Sequence, residues 1–284
     1  MKKLLLIIAS ALLLLTGCQD AHATVNNPNE ELVKVGDTSI TKGEVYTNLL
    51  VNFGSYYVVA DVTEKVVNAE IETTDEIEKE VQEQIESNKS MYGENWEYFL
   101  NSYGYKTEEE FKNSIVLGLK LNELTKKYVY ENWDELIVQY NPKKAIVLSF
   151  YDADSANAAL VELKNGVDSQ EVATAYNSNS VGTPEIITSQ SAYSSEVMSV
   201  INTASTSDDY AMIPSNDNLT TYIIKVLETD PNNIQDEIAT TLSSYESIAN
   251  ESDAYYFKKY KFTIYDKTLY DNMVSSYSNY VVQK

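Results

Sequence analysis

The residue types best suited to covalent or metal chemistry are scarce in this chain and lie near its start. The only cysteine is Cys18, and the only histidine, His22, follows four residues later. Cys18 comes directly after Leu15-Thr16-Gly17, at the end of an apolar run that begins at Leu4. With one thiol and one imidazole, the composition argues against internal disulfides, zinc thiolate sites and Ser-His-Asp or Cys-His catalysis.

The segment before Cys18 has the layout of an export signal. Met1-Lys2-Lys3 is a short basic start, and the apolar run that follows is too short to span a bilayer as a helix. This order resembles the lipobox of bacterial lipoproteins, which implies cleavage after Gly17 and a diacylglyceryl group on the Cys18 sulfur. An ordinary signal peptide that contains a cysteine is the alternative. The resemblance predicts an extracytoplasmic chain, anchored to the cell membrane through the lipid on Cys18.

The chain is strongly acidic. It carries 21 lysines, no arginine and 43 carboxylates, and its net charge of −22 becomes about −24 once residues 1–17 are removed. Nucleic-acid binding needs a cationic surface, so the composition excludes nucleic acid as a partner. The alternative interpretation is that the excess of acidic residues only keeps the protein soluble. Many of the 23 tyrosines are expected in a core or an interface. Their number is also typical of a surface that binds exposed apolar segments of other chains.

The first half of the chain after the signal reads as a tether followed by helices. Residues 18–31 are polar and predict a flexible tether. Leu32–Val35 alternates like a short strand, turned by Gly36-Asp37. Thr41 with Glu44, and Thr107 with Glu110, have the spacing of capping boxes that open helices. A charged helix is predicted from Asp75 to Met91, with its apolar face formed by Ile77, Val81 and Ile85.

The middle of the chain changes character at Asn141-Pro142. The apolar, β-rich run Ala145–Phe150 predicts a central strand, and Thr221–Leu227 predicts a second one. Between these strands, one helix is predicted to end at Leu163. Another short helix is predicted at about Glu196–Ile201. Asp152-Ala153-Asp154 is interpreted as helix-capping carboxylates, with part of a cation site as the alternative.

The last part of the chain returns to a helical pattern after Pro231. Phe262-Thr263-Ile264 is rich in β-forming residues and predicts a strand. Asp266 is the predicted cap of a final helix that includes Leu269 and Met273.

Several of these segments resemble PrsA/SurA-type extracytoplasmic foldases. The similarity lies in Val33–Lys42, in Tyr103-Gly104-Tyr105 with the acidic run after it, and in Phe257–Asp266. The resemblance implies an α+β fold with a helical chaperone domain formed by residues 32–140 and 232–284. A small parvulin-like α/β domain, residues 141–231, is inserted between the two parts.

The inserted domain departs from the parvulin pattern at the positions that carry catalysis. Parvulins place histidines on the first strand and at the start of the last one, where this chain has Ala145 and Tyr222. The Met and Phe of the proline pocket correspond to Tyr193 and Val197, and the glycine-rich stretch is reduced to Val181–Pro184. We therefore expect a degenerate groove lined by Ala145, Tyr193, Val197 and Tyr222.

The resemblance favours an ATP-independent holdase or foldase for unfolded exported polypeptides, without cofactor or metal. An active peptidyl-prolyl cis-trans isomerase is the alternative, because Tyr222 can still donate a hydrogen bond. A solute-binding or adhesive lipoprotein is the second alternative. The resemblance is also compatible with a homodimer.

Overall fold

The computed structural model describes residues 23–216 and 219–283, so Cys18 and His22 lie outside the described residues. The chain forms two compact units. The first, called the helical unit, consists of residues 23–125 and 246–283, and the second, called the sheet unit, is Lys126–Tyr245. The predicted α+β class is confirmed, because helices dominate and the strands of both sheets are antiparallel.

The helical unit begins with a hairpin of β1 (Glu31–Val35) and β2 (Thr38–Thr41). Helix α1 (Lys42–Leu49) follows at once, and its predicted capping box is confirmed. The Thr41 hydroxyl accepts the Glu44 N–H at 3.3 Å, and the Glu44 carboxylate accepts the Thr41 N–H at 2.7 Å. Two otherwise unpaired backbone donors at the helix start are thereby satisfied.

A π-helical turn, Leu50–Gly54, leads from α1 into α2 (Ser55–Glu70). The unit continues with α3 (Asp75–Tyr92), α4 (Trp96–Ser102) and the first part of α5 (Glu108–Glu131), whose residues from Lys126 onward belong to the sheet unit. The apolar face predicted for α3 is confirmed: Ile77, Val81 and Ile85 are buried.

The second predicted capping box forms in part. The Thr107 hydroxyl accepts the Glu110 N–H at 3.1 Å, as expected. The Glu110 carboxylate accepts the backbone N–H of Lys106 at 2.7 Å, one residue before the expected donor. The carboxylate still satisfies a backbone donor next to the first turn of α5.

The sheet unit alternates helices and short strands. Its order is α6 (Trp133–Tyr140), β3 (Lys143–Phe150), α7 (Ala153–Lys164), α8 (Ser169–Ala175), β4 (Glu185–Ile187), α9 (Ser195–Thr203), β5 (Ala211–Pro214), β6 (Thr221–Glu228) and α10 (Gln235–Ser243). The strands lie in the order β4-β3-β6-β5, all antiparallel. The predicted central strand is confirmed as β3.

Strand β3 is buried on both of its faces, which explains its nearly continuous apolar sequence. Ile146, Leu148 and Phe150 pack with residues of α7 and α8. Ala145 and Val147 point to the opposite face and pack with Val197 and Ile201 of α9. The sheet is therefore the middle layer between two helical layers.

The sheet unit is wider than the insert predicted at 141–231, since it includes α6 and α10. The backbone N–H of Ser189 donates to the Tyr140 carbonyl at 2.7 Å, which ties α6 to the loop after β4. Lys144 on β3 forms a 2.7 Å ion pair with Glu237 on α10.

The chain returns to the helical unit with α11 (Glu246–Lys259) and α12 (Lys267–Ser276). Asp266 caps α12 as predicted, accepting the Leu269 N–H at 2.9 Å. The strand predicted at Phe262–Ile264 is wrong. No strand pairs with this segment among the described residues, and the Gln283 side chain donates to the Ile264 carbonyl at 3.0 Å.

Residues 23–31 of the predicted tether are hydrogen-bonded to the helical unit. The Ala23 N–H donates to the Tyr265 carbonyl at 2.6 Å. The carbonyls of Pro28 and Glu30 accept the N–H groups of Gly43 and Lys42, each at 2.8 Å. Part of the predicted tether is therefore joined by backbone hydrogen bonds to α1 and to the segment before α12.

One carboxylic acid of the helical unit is placed unfavourably for ionisation. Burial raises the pKa of Asp253 on α11 to about 6, and a hydrogen bond from Tyr280 only partly opposes this. Burial also raises the pKa of Tyr280 to about 12. The ring of Tyr280 packs on Phe257, with the centroids 4.9 Å apart. Ionising Asp253 therefore weakens the folded state.

We predict that Asp253→Asn stabilises the protein above pH 6 and not below pH 4. The folded state holds the Asp253 proton more tightly than the unfolded state, whose pKa is near 3.8, so the wild type loses stability as pH rises from about 4 to about 6. The gain at pH 7 should be on the order of 2 kcal/mol in urea unfolding. Glu109→Gln, on exposed α5 surface, is the control, and a pH-independent difference for Asp253→Asn would contradict the prediction.

Candidate functional site

The four residues predicted to form a degenerate groove lie together in the sheet unit. Ala145 is on β3, Tyr222 on β6 and Val197 on α9, while Tyr193 is in the loop just before α9. All four belong to one apolar cluster on the face of the sheet that α9 covers. The antiparallel register places Ala145 opposite both Val226 and Glu185, and Tyr222 opposite Ser149.

Burial distinguishes two kinds of residue within this cluster. Ala145 and Val197 are 0% exposed, so they are core contacts between the sheet and α9. Tyr193 and Tyr222 are only partly buried and lie at the edge of the cluster. A proline ring could therefore reach the two tyrosines, but not Ala145 or Val197, without displacing α9.

Tyr193 is held by a carboxylate. Its hydroxyl donates to Glu185, the edge residue of β4 that stands opposite Ala145. Burial raises the pKa of Tyr193, and the hydrogen bond to Glu185 raises it further. The phenol thus stays protonated at neutral pH, with its proton directed at Glu185.

The loop that replaces the glycine-rich stretch is fastened to the rest of the unit. Gly182 has a positive φ of 78°, and a Cβ there would collide with the backbone carbonyl of Ser169. The Ser169 hydroxyl donates to the Gly182 carbonyl at 2.6 Å. Ser180 donates to the Val147 carbonyl at 2.7 Å, beyond the part of β3 that pairs with β4. The loop closes this edge of the sheet.

Asp152 has the capping role preferred from the sequence. Its carboxylate accepts the N–H of Ser155 at 2.8 Å and the Ser155 hydroxyl at 2.6 Å. These bonds and the N–H groups at the start of α7 stabilise the carboxylate and lower the pKa of Asp152. Within residues 23–216 and 219–283, no cluster of three His, Cys, Asp or Glu side chains could hold a metal ion.

The helical unit contains an apolar cavity that the sequence did not indicate. It has a volume of about 310 Å³ and lies between α2, α5 and the end of α12. Its lining consists of Tyr56, Val59, Ala60, Thr63, Glu64, Leu117, Leu121 and Tyr277. These residues come from three separate parts of the chain, and no local spacing pattern brings them together.

The described part of the chain contains no helix with the length and apolar character needed to cross a bilayer.

Comparison with known proteins relates the chain to one group, although no family model matches it. The foldase protein PrsA 2 of Bacillus cereus is 27% identical over 164 residues, which cover 57% of this chain and 54% of that protein. The foldase protein PrsA 4 of the same organism is 27% identical over 178 residues, 62% of this chain and 60% of that protein. The resemblance to PrsA-type foldases is confirmed. The chain spans little more than half of the length of these curated relatives.

Solved PrsA structures align with most of the chain at low similarity. A peptidylprolyl isomerase (PrsA) from Bacillus cereus covers 88% of this chain and 99% of its own, with 20% identity and a TM-score of 0.48. PrsA from Bacillus subtilis covers 88% and 100%, with 19% identity and a TM-score of 0.42.

We predict that Val197→Ala destabilises the protein by about 1–2 kcal/mol, because it removes two methyl groups from a fully buried contact between α9 and β3. Ser199→Ala, at an exposed position of the same helix, should change stability by no more than about 0.5 kcal/mol. Urea unfolding measures both. Equal stability of wild type and Val197→Ala would mean that this position borders an open groove.

Proposed function

We propose that the protein is an ATP-independent foldase of the holdase type, which binds unfolded exported polypeptides outside the cell membrane. Its sequence similarity to curated PrsA foldases supports this function. A holdase needs a surface that buries apolar segments reversibly, and it suppresses aggregation by mass action without a nucleotide cycle.

The observation that carries the proposal is the apolar surface of the helical unit between the hairpin and α2. Phe53 and Tyr57 are 55% and 65% exposed. Other large apolar side chains of the same segment are also exposed: Leu32, Val33, Val35, Ile40, Leu49, Val51 and Tyr56. Isolated exposed apolar residues are ordinary, but a run of them within 26 residues of chain supports an interaction surface.

The sheet unit supports a structural or binding role better than catalysis. Rotation about an X-Pro bond crosses a barrier of roughly 18–20 kcal/mol, which an isomerase lowers by holding the ring and stabilising the twisted amide. Where parvulins place a histidine on the first strand, this chain has the buried Ala145. The Tyr193 hydroxyl already donates its hydrogen bond to Glu185. Tyr222 is the remaining partly exposed donor at this place.

The anchor completes the proposed function. A diacylated Cys18 would hold the chain at the membrane, since each buried methylene contributes about 0.8 kcal/mol and two chains bind durably. Anionic headgroups would repel a domain with a net charge of about −24, which keeps its surface accessible. Tethering also raises the local concentration of the foldase where exported chains emerge.

We predict that the full mature chain carrying Cys18→Ser suppresses the aggregation of several urea-unfolded clients, followed by light scattering without nucleotide. Phe53→Ser with Tyr57→Ser should weaken the suppression several-fold, because these changes remove exposed apolar surface. Tyr151→Ser with Val181→Ser is the matched control, since these residues of the sheet unit are 79% and 71% exposed.

No suppression at several-fold molar excess over varied clients would refute the holdase. A proline-peptide assay tests the alternative: acceleration that is lost in Tyr222→Phe would instead establish an isomerase.

We predict that Cys18→Ser abolishes incorporation of labelled fatty acid and blocks cleavage after Gly17. Gln19→Ser, at the adjacent position, should leave both unchanged. Fatty acid label on the Cys18→Ser chain would contradict the lipid anchor.

A further inference from the structure

The outer edge of β1, the edge that faces away from β2, is not paired with another strand. In the described part of the chain, β1 pairs only with β2, and the two form a sheet of two strands. No backbone hydrogen bond joins Leu32–Val35 to any residue of 23–216 or 219–283 outside the hairpin. A two-stranded sheet is only marginally stable in water, and a third strand adds hydrogen bonds and apolar contacts. The hairpin therefore has a position for one more strand.

The register of the hairpin shows which backbone groups point outward. Gly36-Asp37 is a two-residue turn, with a φ of 60° at Gly36. The residues that flank such a turn, here Val35 and Thr38, form a hydrogen-bonded pair. Bonded and non-bonded pairs alternate in an antiparallel ladder, and the next pair is Lys34 with Ser39. The N–H and C=O of Lys34 therefore face the outer edge of β1, while those of Ser39 face the opposite edge of the hairpin.

One face of the hairpin is apolar along this edge. Side chains alternate between the two faces of a strand, so Val33 and Val35 share a face, and Ile40 lies directly opposite Val33. All three side chains are exposed. A strand added to β1 would place every second side chain within contact distance of Val33 and Val35. The edge therefore favours segments in which apolar residues alternate with polar ones.

The chemistry of a strand edge defines the class of ligand, because an extended polypeptide offers donors and acceptors at the matching spacing. Two features disfavour a second folded copy as this ligand. The register shifts between Glu31 and Val33, so β1 carries a bulge at Leu32 that bends its edge. Bulges and edge lysines such as Lys34 are features that keep the folded edges of two copies from pairing. An unfolded chain can adjust its backbone to the bend, whereas the fixed edge of a second copy cannot.

We propose that the outer edge of β1 binds an extended segment of an unfolded polypeptide as a third strand of the hairpin. The N–H and C=O of Lys34 pair with the backbone of the segment, and alternate apolar side chains of the segment contact Val33 and Val35. This inference rests on the proposed holdase function, for which it names the mode of binding and the preferred pattern of residues. Because it recognises backbone groups, the edge accepts many sequences.

The first test removes the outward donor and leaves the apolar face intact. Lys34→Pro deletes the N–H at the outer edge of β1, and Ser39→Pro is the matched control, since it deletes the N–H at the opposite edge. Neither change removes a hydrogen bond between β1 and β2. The probe is a short labelled peptide of alternating valine and threonine with a lysine at each end. Fluorescence anisotropy measures its affinity for the full mature chain carrying Cys18→Ser.

Lys34→Pro should weaken binding of this peptide roughly two- to tenfold, the range expected for the loss of one neutral hydrogen bond. Ser39→Pro should leave the affinity unchanged. The same peptide with every amide N-methylated keeps its side chains but cannot form a ladder, and it should not bind. No binding of the unmodified peptide, or equal affinity of the parent chain and Lys34→Pro, would overturn the proposal.

The second test does not depend on the folding of either proline variant. Amide hydrogen exchange, followed by nuclear magnetic resonance, should slow at Lys34 when the peptide is added, and it should not change at Ser39. Unchanged exchange at Lys34 in the presence of bound peptide would overturn the proposal, because the peptide would then be held elsewhere. Self-association that Lys34→Pro abolishes in sedimentation would also overturn it, since the occupant would be a second copy.

Aggregation assays separate this proposal from the holdase on which it rests. Equal protection of clients by the parent chain and by Lys34→Pro would refute only the strand edge. A chain that binds the peptide at β1 and protects no client would refute only the holdase.

Discussion

The helical unit depends on Asp266, which joins segments more than 200 residues apart in sequence. Its carboxylate caps α12 through the Leu269 N–H and also accepts the Tyr46 hydroxyl of α1 at 3.0 Å. Burial, followed by the bond to Asp266, raises the pKa of Tyr46, so this phenol remains a donor. The backbone at Asp266 also bridges to Ala23. The Asp266 carboxylate thus links the first and last helices of the unit, while the backbone of the same segment pairs with Ala23.

The two units differ in how they use apolar surface. In the sheet unit, helices cover both faces of β3, and Ser180 of the loop before β4 donates to the Val147 carbonyl at the edge of β3 beyond its pairing with β4. In the helical unit, by contrast, Phe53 and Tyr57 remain exposed and an apolar cavity remains open. The sheet unit also exposes single apolar residues such as Tyr151 and Val181, but the continuous run from Leu32 to Tyr57 belongs to the helical unit.

Local features were predicted well because their physical causes are local. The capping box at Thr41, the caps at Asp152 and Asp266, and the apolar face of α3 each depend on residues within a few positions of one another. The strand predicted at Phe262–Ile264 is wrong because a strand needs a neighbouring strand to pair with. The Ile264 carbonyl instead accepts a hydrogen bond from the Gln283 side chain. The candidate groove shows the same limit. Sequence placed Ala145 and Val197 in one cluster, but only packing shows them to be fully buried.

The sequence by itself determined the acidic charge, the scarcity of thiol and imidazole groups, the central strands and the resemblance to PrsA-type foldases. It did so because composition, periodicity and motif spacing are properties of short stretches of chain. Tertiary structure alone decided which apolar residues stay exposed, that Ala23, Pro28 and Glu30 are hydrogen-bonded to other parts of the helical unit, and that the buried Thr63 hydroxyl has no hydrogen-bond partner within the described residues. These properties arise from contacts between distant segments, which pack by shape and leave no pattern along the chain.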